Sequence, residues 1–287
     1  MTLRNEFGIT PFFLPGSRGD LFCLHLSPAT QPAKGSILYL HPFAEEMHKS
    51  RRMAALQARE FARSGYHVLQ ADLTGCGDSA GDFGDATWGT WRDDGRRAHA
   101  WLAGNFPGPI LLWGLRTGAI LAAELAAELP DIAHLLLWQP VGSGEQFLNQ
   151  FLRIKLASEM LSAGQSQSGI KELRAKLEAG VSIEIGGYML CAAMVRGLTR
   201  LKLADTAPPC PVVWLEAGAE DSDRPAPAGQ RIIDAWRTAG VSVNARTVKG
   251  EPFWVTQEIT ECTTLIKATC EMLLAWQQHL NTLVQNK

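Results

Sequence analysis

Short apolar runs alternate with longer, half-polar segments along most of the chain, and this alternation predicts strands followed by helices. Phe12-Phe13-Leu14 and Leu21-Phe22-Cys23-Leu24-His25-Leu26 read as a hairpin joined through the turn-forming stretch Pro15 to Asp20. Ile37 to Leu40, Tyr66 to Leu73, the run opening Pro109-Ile110-Leu111-Leu112-Trp113, His134 to Trp138, Val212 to Ala217 and Val241 to Val248 read as buried strands. Between them the pattern predicts helices over Met53 to Arg63, Trp88 to Asn105, Ala119 to Leu129, Gln230 to Thr238 and Gln257 to Leu280, the first stopped by Gly65 and the third by Pro130. Short strands alternating with helices imply an α/β fold: a mostly parallel sheet covered on both faces. From Val141 the alternation lapses. Phe147 to Leu161, Ile170 to Leu177 and Leu190 to Leu201 read as helices, Ser182 to Tyr188 as a short extended piece, and Pro208-Pro209 with Pro211 as the return. Residues 141–210 are therefore expected to form a mostly helical cap on a core made of residues 1–140 and 211–287.

The central run carries the most specific signal. Gly114-Leu115-Arg116-Thr117-Gly118 joins an apolar strand to an Ala/Leu-rich helix, the layout of the G-x-S-x-G nucleophile elbow of α/β-hydrolases. Arg116 stands where the nucleophile belongs. A guanidinium is neither nucleophile nor base near neutral pH, because its pKa lies above about 12. It is a fixed cation with a planar fork of donors, here at a helix N-terminus that itself favours anions. The acid of such sites follows the next core strand, and Asp221 in Gly218-Ala219-Glu220-Asp221 matches that position. The base should follow the last strand, where Lys249-Gly250-Glu251-Pro252-Phe253-Trp254 contains no histidine. Of the seven histidines only His279 lies beyond Asp221, deep in the terminal helix.

Other parts of such a site are in place. The backbone N–H groups of Phe43 and Thr117 would form the oxyanion-binding pair. His41, Glu45 and Glu46 belong to the loop beside them. His41 reads as a loop-packing residue more readily than as a general base, Ser79 as the closure of the Asp72-Leu73-Thr74-Gly75-Cys76-Gly77-Asp78-Ser79 turn, and Ser143 as a cap hinge rather than a displaced nucleophile. Arg116 is expected to pair with an acidic residue, first of all Asp221 or Glu251.

Composition narrows the function classes. A 287-residue chain that is 46% hydrophobic buries a full core, and a net charge of −2 gives no reason to propose nucleic acid as a partner. Six scattered cysteines without C-x-x-C pairs read as reduced thiols, with no metal-ligand spacing. No G-x-G-x-x-G follows the first strand, so no dinucleotide site and no cofactor are expected. No signal peptide or membrane span is expected, and the protein reads as cytoplasmic. A homodimer is left open.

His41-Pro42-Phe43-Ala44-Glu45-Glu46-Met47, Lys49-Ser50-Arg51-Arg52-Met53, Trp113-Gly114-Leu115-Arg116 and Leu137-Trp138-Gln139-Pro140-Val141 together resemble the exosortase A system-associated hydrolases of the second type, over most of the chain. That family belongs to the α/β-hydrolase superfamily and accompanies the exosortase of Gram-negative exopolysaccharide clusters, which sorts PEP-CTERM proteins. The resemblance implies an α/β-hydrolase fold, an exopolysaccharide or protein-sorting context, and an acyl ester, thioester or carbohydrate ester substrate. Two functions stay open. One is a hydrolase-like enzyme with a non-standard site of Arg116, Asp221, Glu251 and the Glu45/Glu46 loop. The other is a catalytically silent binding or scaffold protein that keeps an anion-binding pocket at Arg116.

Overall fold

In the computed structural model, which describes residues 7–28, 30–163 and 169–285, the alternation resolves into strands and helices in a simple order. First come β1 (Phe7–Pro15), β2 (Asp20–Pro28), β3 (Gly35–Leu40), α1 (Glu45–Arg63), β4 (Tyr66–Ala71), α2 (Trp88–Asn105), β5 (Ile110–Leu115), α3 (Thr117–Glu128) and β6 (Ile132–Trp138). An insertion follows, with α4 (Gly144–Ala163), α5 (Ile170–Glu178), the hairpin β7 (Ile183–Ile185) and β8 (Tyr188–Leu190), and α6 (Ala192–Thr199). The core then resumes with β9 (Val212–Gly218), α7 (Pro227–Thr238), β10 (Val243–Lys249) and α8 (Thr263–Gln285).

Eight strands form one sheet in the order β1-β2-β4-β3-β5-β6-β9-β10. The β1–β2 and β2–β4 pairs are antiparallel, and every later pair is parallel. All six residues of β3 and of β5 are buried, as expected for central parallel strands covered on both faces. Alternate residues divide between the two faces. Leu38, Leu40 and Leu112 pack with Trp91, Ala119 and Ile233 on one side, while Ile37, Tyr39, Leu111 and Trp113 pack with Phe61 and Leu265 on the other. Each fully buried leucine contributes about 1.5–3 kcal/mol, so these two layers hold the sheet in register. Among the described residues no helix is long and apolar enough to cross a membrane.

The first strand is longer than the sequence reading, Phe7–Pro15 rather than Phe12 to Leu14, and three further elements depart from it in kind or start. The helix expected from Met53 begins at Glu45. The charged stretch is its first two turns, with Glu45 and Glu46 at the favoured N-terminal end and Met47, Ser50, Met53 and Ala54 turned to the core. The extended piece near Ser182 is a two-stranded hairpin, because Gly186 and Gly187 adopt φ of 56° and 87°, the conformation a tight hairpin turn requires. The terminal helix starts at Thr263 rather than Gln257. Its first turn hangs on the Cys262 carbonyl, which accepts from Leu265 and Ile266, while Phe253 and Trp254 pin the preceding irregular stretch to the core.

Candidate functional site

The elbow forms because two glycines allow backbones to touch. A Cβ on Gly118 would lie 2.1 Å from the Leu40 carbonyl oxygen and 2.7 Å from that of His41; one on Gly114 would lie 2.4 Å from the Gly118 oxygen. β3, β5 and α3 therefore meet at a separation no larger residue permits. Arg116 sits at the bend with φ 57° and ψ −117°. Its N–H donates to the Trp138 carbonyl (3.0 Å), and its own carbonyl accepts from Ala119 (3.1 Å) and Val141 (3.3 Å). Among the described residues, the non-glycine positions with positive φ are Ala44, Arg116 and Gln139. They follow β3, β5 and β6, three adjacent central strands, so the strained backbone is gathered at the carboxyl ends of neighbouring strands. Strain of this kind costs about 1–3 kcal/mol per residue and clusters at functional sites.

The Arg116 side chain lies over the start of α1. Its Nε is 3.2 and 3.3 Å from the two carboxylate oxygens of Glu46, and its Nη2 donates to Oε1 at 3.1 Å. Both side chains are largely buried, at 14% and 13% exposure. Burial drives the Glu46 carboxyl above the usual carboxylate range, against the lowering pull of Arg116. On the other side the guanidinium carbon lies 5.3 Å from the Trp254 ring centre, a cation–π contact. These groups open onto a cavity of about 370 Å³, lined by Phe43, Glu45, Glu46, Lys49, Arg116, Phe147, Gln150, Phe151, Ile154, Trp254 and Val255. Lys49 is held by Glu45 (2.6 Å) and the Val255 carbonyl (3.3 Å).

Arg116, expected to pair with Asp221 or Glu251, pairs with Glu46 and with neither of them. Asp221 is exposed, and its carboxylate accepts from the Lys249 N–H at 2.9 Å, tying the β9–β10 side together. Glu251 is exposed and lines no part of the cavity. The physical reason is the glycine contact, which draws the β3–α1 junction onto the elbow and delivers the first turn of α1 to Arg116. His41 is fully engaged as a packing residue. Its Nδ1 bonds the Pro42 carbonyl (2.7 Å) and its Nε2 accepts from the Leu73 N–H (3.1 Å), and burial lowers its pKa, so neither nitrogen is free to take a proton. Ser79 closes its turn, donating to the Asp72 carbonyl (2.6 Å) and accepting from the Phe22 N–H (2.8 Å). Ser143 lies just before α4 and accepts from the Gln146 N–H (3.3 Å). His279 belongs to α8, and its side chain lies outside the described residues.

The backbone N–H groups of Phe43 and Thr117 donate no hydrogen bond to protein among the described residues; Thr117 directly follows Arg116, and Phe43 follows β3, whose last carbonyl packs on Gly118. Phe43 lines the cavity; the Thr117 side chain is fully buried. The aromatic walls escaped the sequence reading as a set. Phe147, Phe151 and Ile154 are spaced i, i+4, i+7 on α4, which marks a single helix face, and Trp254 stands in the loop where a base was sought. Chemically, the cavity offers two acid–base pairs, one amide and apolar walls. Among the described residues its lining contains no Ser, Thr, Cys or His. Among the described residues no group of three or more His, Cys, Asp or Glu is placed to hold a metal ion.

Comparison with known proteins places this frame. Residues 22–134, from the hairpin through the elbow, match the family model of the X-Pro dipeptidyl-peptidases (S15 family). No curated protein matches the sequence. Among solved structures, the chain is similar to a thermostable carboxyl esterase from Bacillus coagulans in complex with glycerol, with 15% identity, TM-score 0.65, and 95% of this chain and 98% of that one covered. It is similar to Est1E from Butyrivibrio proteoclasticus bound to ferulic acid, with 16% identity, TM-score 0.63 and coverage of 92% and 98%. It is also similar to mouse alpha/beta hydrolase domain-containing protein 10, with 16% identity, TM-score 0.60 and coverage of 94% and 99%. The fold is that of the α/β-hydrolases.

Proposed function

We propose that this α/β-hydrolase-fold protein uses its elbow as a binding site for a small, partly apolar ligand and does not carry out serine-type hydrolysis. The observation behind this reading is the Arg116–Glu46 pair, standing where a hydrolase keeps its nucleophile, in a cavity whose described lining offers no hydroxyl, thiol or imidazole. Acyl transfer to a side chain needs a nucleophile and a base oriented toward it, and neither is supplied here. What the fold retains is a shaped cavity, the unpaired backbone amides of Phe43 and Thr117, and a cation held in the cavity lining by Glu46. Residues 141–210 act as the cap in this reading, since Phe147, Gln150, Phe151 and Ile154 of α4 form one wall. The sequence resemblance adds the setting, an exosortase-linked exopolysaccharide system in which the ligand is an acyl or carbohydrate ester, or an acid derived from one.

A second reading rests on one observation. The Glu46 carboxylate lines the same cavity as Phe43, and burial raises its proton affinity, which suits a group that takes a proton from water beside a bound ester. Under this reading Glu46→Gln abolishes an ester turnover that the unmodified protein displays. A fluorophosphonate probe of serine hydrolases tests the first reading against conventional catalysis. The expected result is no covalent labelling. Stoichiometric labelling of any serine, including Ser79 or Ser143, overturns it.

A further inference from the structure

A guanidinium has two donor edges, and protein acceptors occupy one of those on Arg116. Nε and Nη2 face Glu46, whereas Nη1 donates to no protein acceptor among the described residues. Arg116 lines the same cavity as the aromatic walls. A planar, permanently charged donor edge is matched by a planar anion with two acceptor atoms, and a carboxylate has that shape. The walls define the rest of the ligand. Phe43 meets Phe147 and Phe151 edge-on, with ring centres 5.5 and 5.3 Å apart, and Trp254 closes the side against Arg116. A volume of about 370 Å³ holds roughly a dozen heavy atoms, at about 30 Å³ for each water-sized volume.

We propose that the elbow cavity takes a monocarboxylate with an aromatic or short branched apolar body. The carboxylate lies on the Nη1–Nη2 edge of Arg116, and the body lies between Phe43, Phe147, Phe151 and Trp254. This rests on the binding reading of the elbow given above. Lys49 does not compete for the carboxylate, because Glu45 and the Val255 carbonyl already hold it. With Glu45 matched by Lys49 and Glu46 by Arg116, the cavity has no spare cation, and the geometry of the fork does the selecting. Burial also makes Glu46 easier to protonate than an ordinary glutamate, which lessens repulsion between the two carboxylates that share one guanidinium.

Isothermal titration of the full chain with 4-phenylbutyrate, 4-phenylbutyramide and 4-phenylbutylamine tests this. The three share one apolar body and differ only in the headgroup. The carboxylate is expected to bind about tenfold to a hundredfold tighter than the amide, as a charge-assisted pair should. Removing Arg116 alone strands Glu46, so the control is the double variant Arg116→Met/Glu46→Leu, which replaces both partners by apolar groups. There the carboxylate and amide are expected to bind within about twofold of each other. Equal binding of carboxylate and amide by the unmodified protein overturns the carboxylate while leaving the binding reading in place. Tightest binding of the amine overturns it in favour of recognition by Glu45 and Glu46. Failure of all three to bind at millimolar concentration overturns both the carboxylate and ligand binding at the elbow.

Discussion

Arg116 and Glu46 stabilise each other mainly by removing a mutual liability. Each would be a buried charge without its partner, and such a charge costs several kcal/mol when water cannot reach it. Arg116→Met is therefore expected to lower the unfolding free energy by about 3 kcal/mol, at the low end for a buried pair because both side chains keep some exposure. Arg116→Met/Glu46→Leu should recover most of that loss. Urea denaturation of the two variants checks the sign, and a single variant as stable as the parent would mean that the pair is well hydrated. The elbow glycines give a sharper case. Gly118→Ala places a methyl group 2.1 Å from the Leu40 oxygen, a contact between two backbones that no rotamer change relieves. A loss of about 3 kcal/mol or more, or failure to accumulate as folded protein, is expected for Gly118→Ala. Gly104→Ala, with open space around the added methyl, should be neutral or slightly stabilising.

At the scale of elements, the hairpin strand β2 and its neighbour β4 contribute a buried pair of histidines. His25 Nε2 and His67 Nδ1 are 3.0 Å apart, and Phe106 stacks on both rings at 4.8 and 3.8 Å. Burial first, and the neighbouring His67 second, push the His25 pKa down to about 4; burial lowers that of His67. The unfolded chain takes up these protons near pH 6.5 and the folded one refuses them until a lower pH. Stability from this pair is thus complete above about pH 6.5 and falls as the pH drops, the share of His25 ceasing to fall below about 4. Melting temperatures across that range should decline less steeply in His25→Phe/His67→Leu than in the parent, and parallel declines would contradict the assignment. The strands and most helices were legible in the sequence because period-two apolar runs and glycine or proline stops are local signals. The start of α1 was not. Its first two turns are charged, and their core-facing residues, Met47 and Ser50, are too sparse to show a helical period until the sheet is beneath them.

At the scale of the whole molecule, the sequence placed the elbow and the residue in it, because both depend on five consecutive positions. It misplaced the partner of that residue. Asp221 and Glu251 occupy the chain positions at which a triad keeps its acid and its base, and that local rule points to them. The actual partner, Glu46, is 70 residues before Arg116 and reaches it only because the β3–α1 junction packs on the glycines of the elbow. Aromatic walls drawn from α4 and from the loop after β10 were unreadable as a group for the same reason: they converge only in three dimensions. The resulting site has the frame of a hydrolase, a paired cation in place of a nucleophile, and an apolar cavity above it. Among the described residues no imidazole is poised at the elbow to deprotonate a hydroxyl, since both nitrogens of His41 are occupied and Trp254 stands in the loop after the last strand. Restoring a nucleophile without a base gains little, because triad members act as a unit. The direct measurement is p-nitrophenyl butyrate turnover by Arg116→Ser beside the unmodified protein, with folding of the variant confirmed by circular dichroism. Both proteins are predicted to remain at the buffer rate. Saturable turnover by the folded variant, abolished by a serine-directed sulfonyl fluoride, would contradict the account by revealing a working base at the elbow.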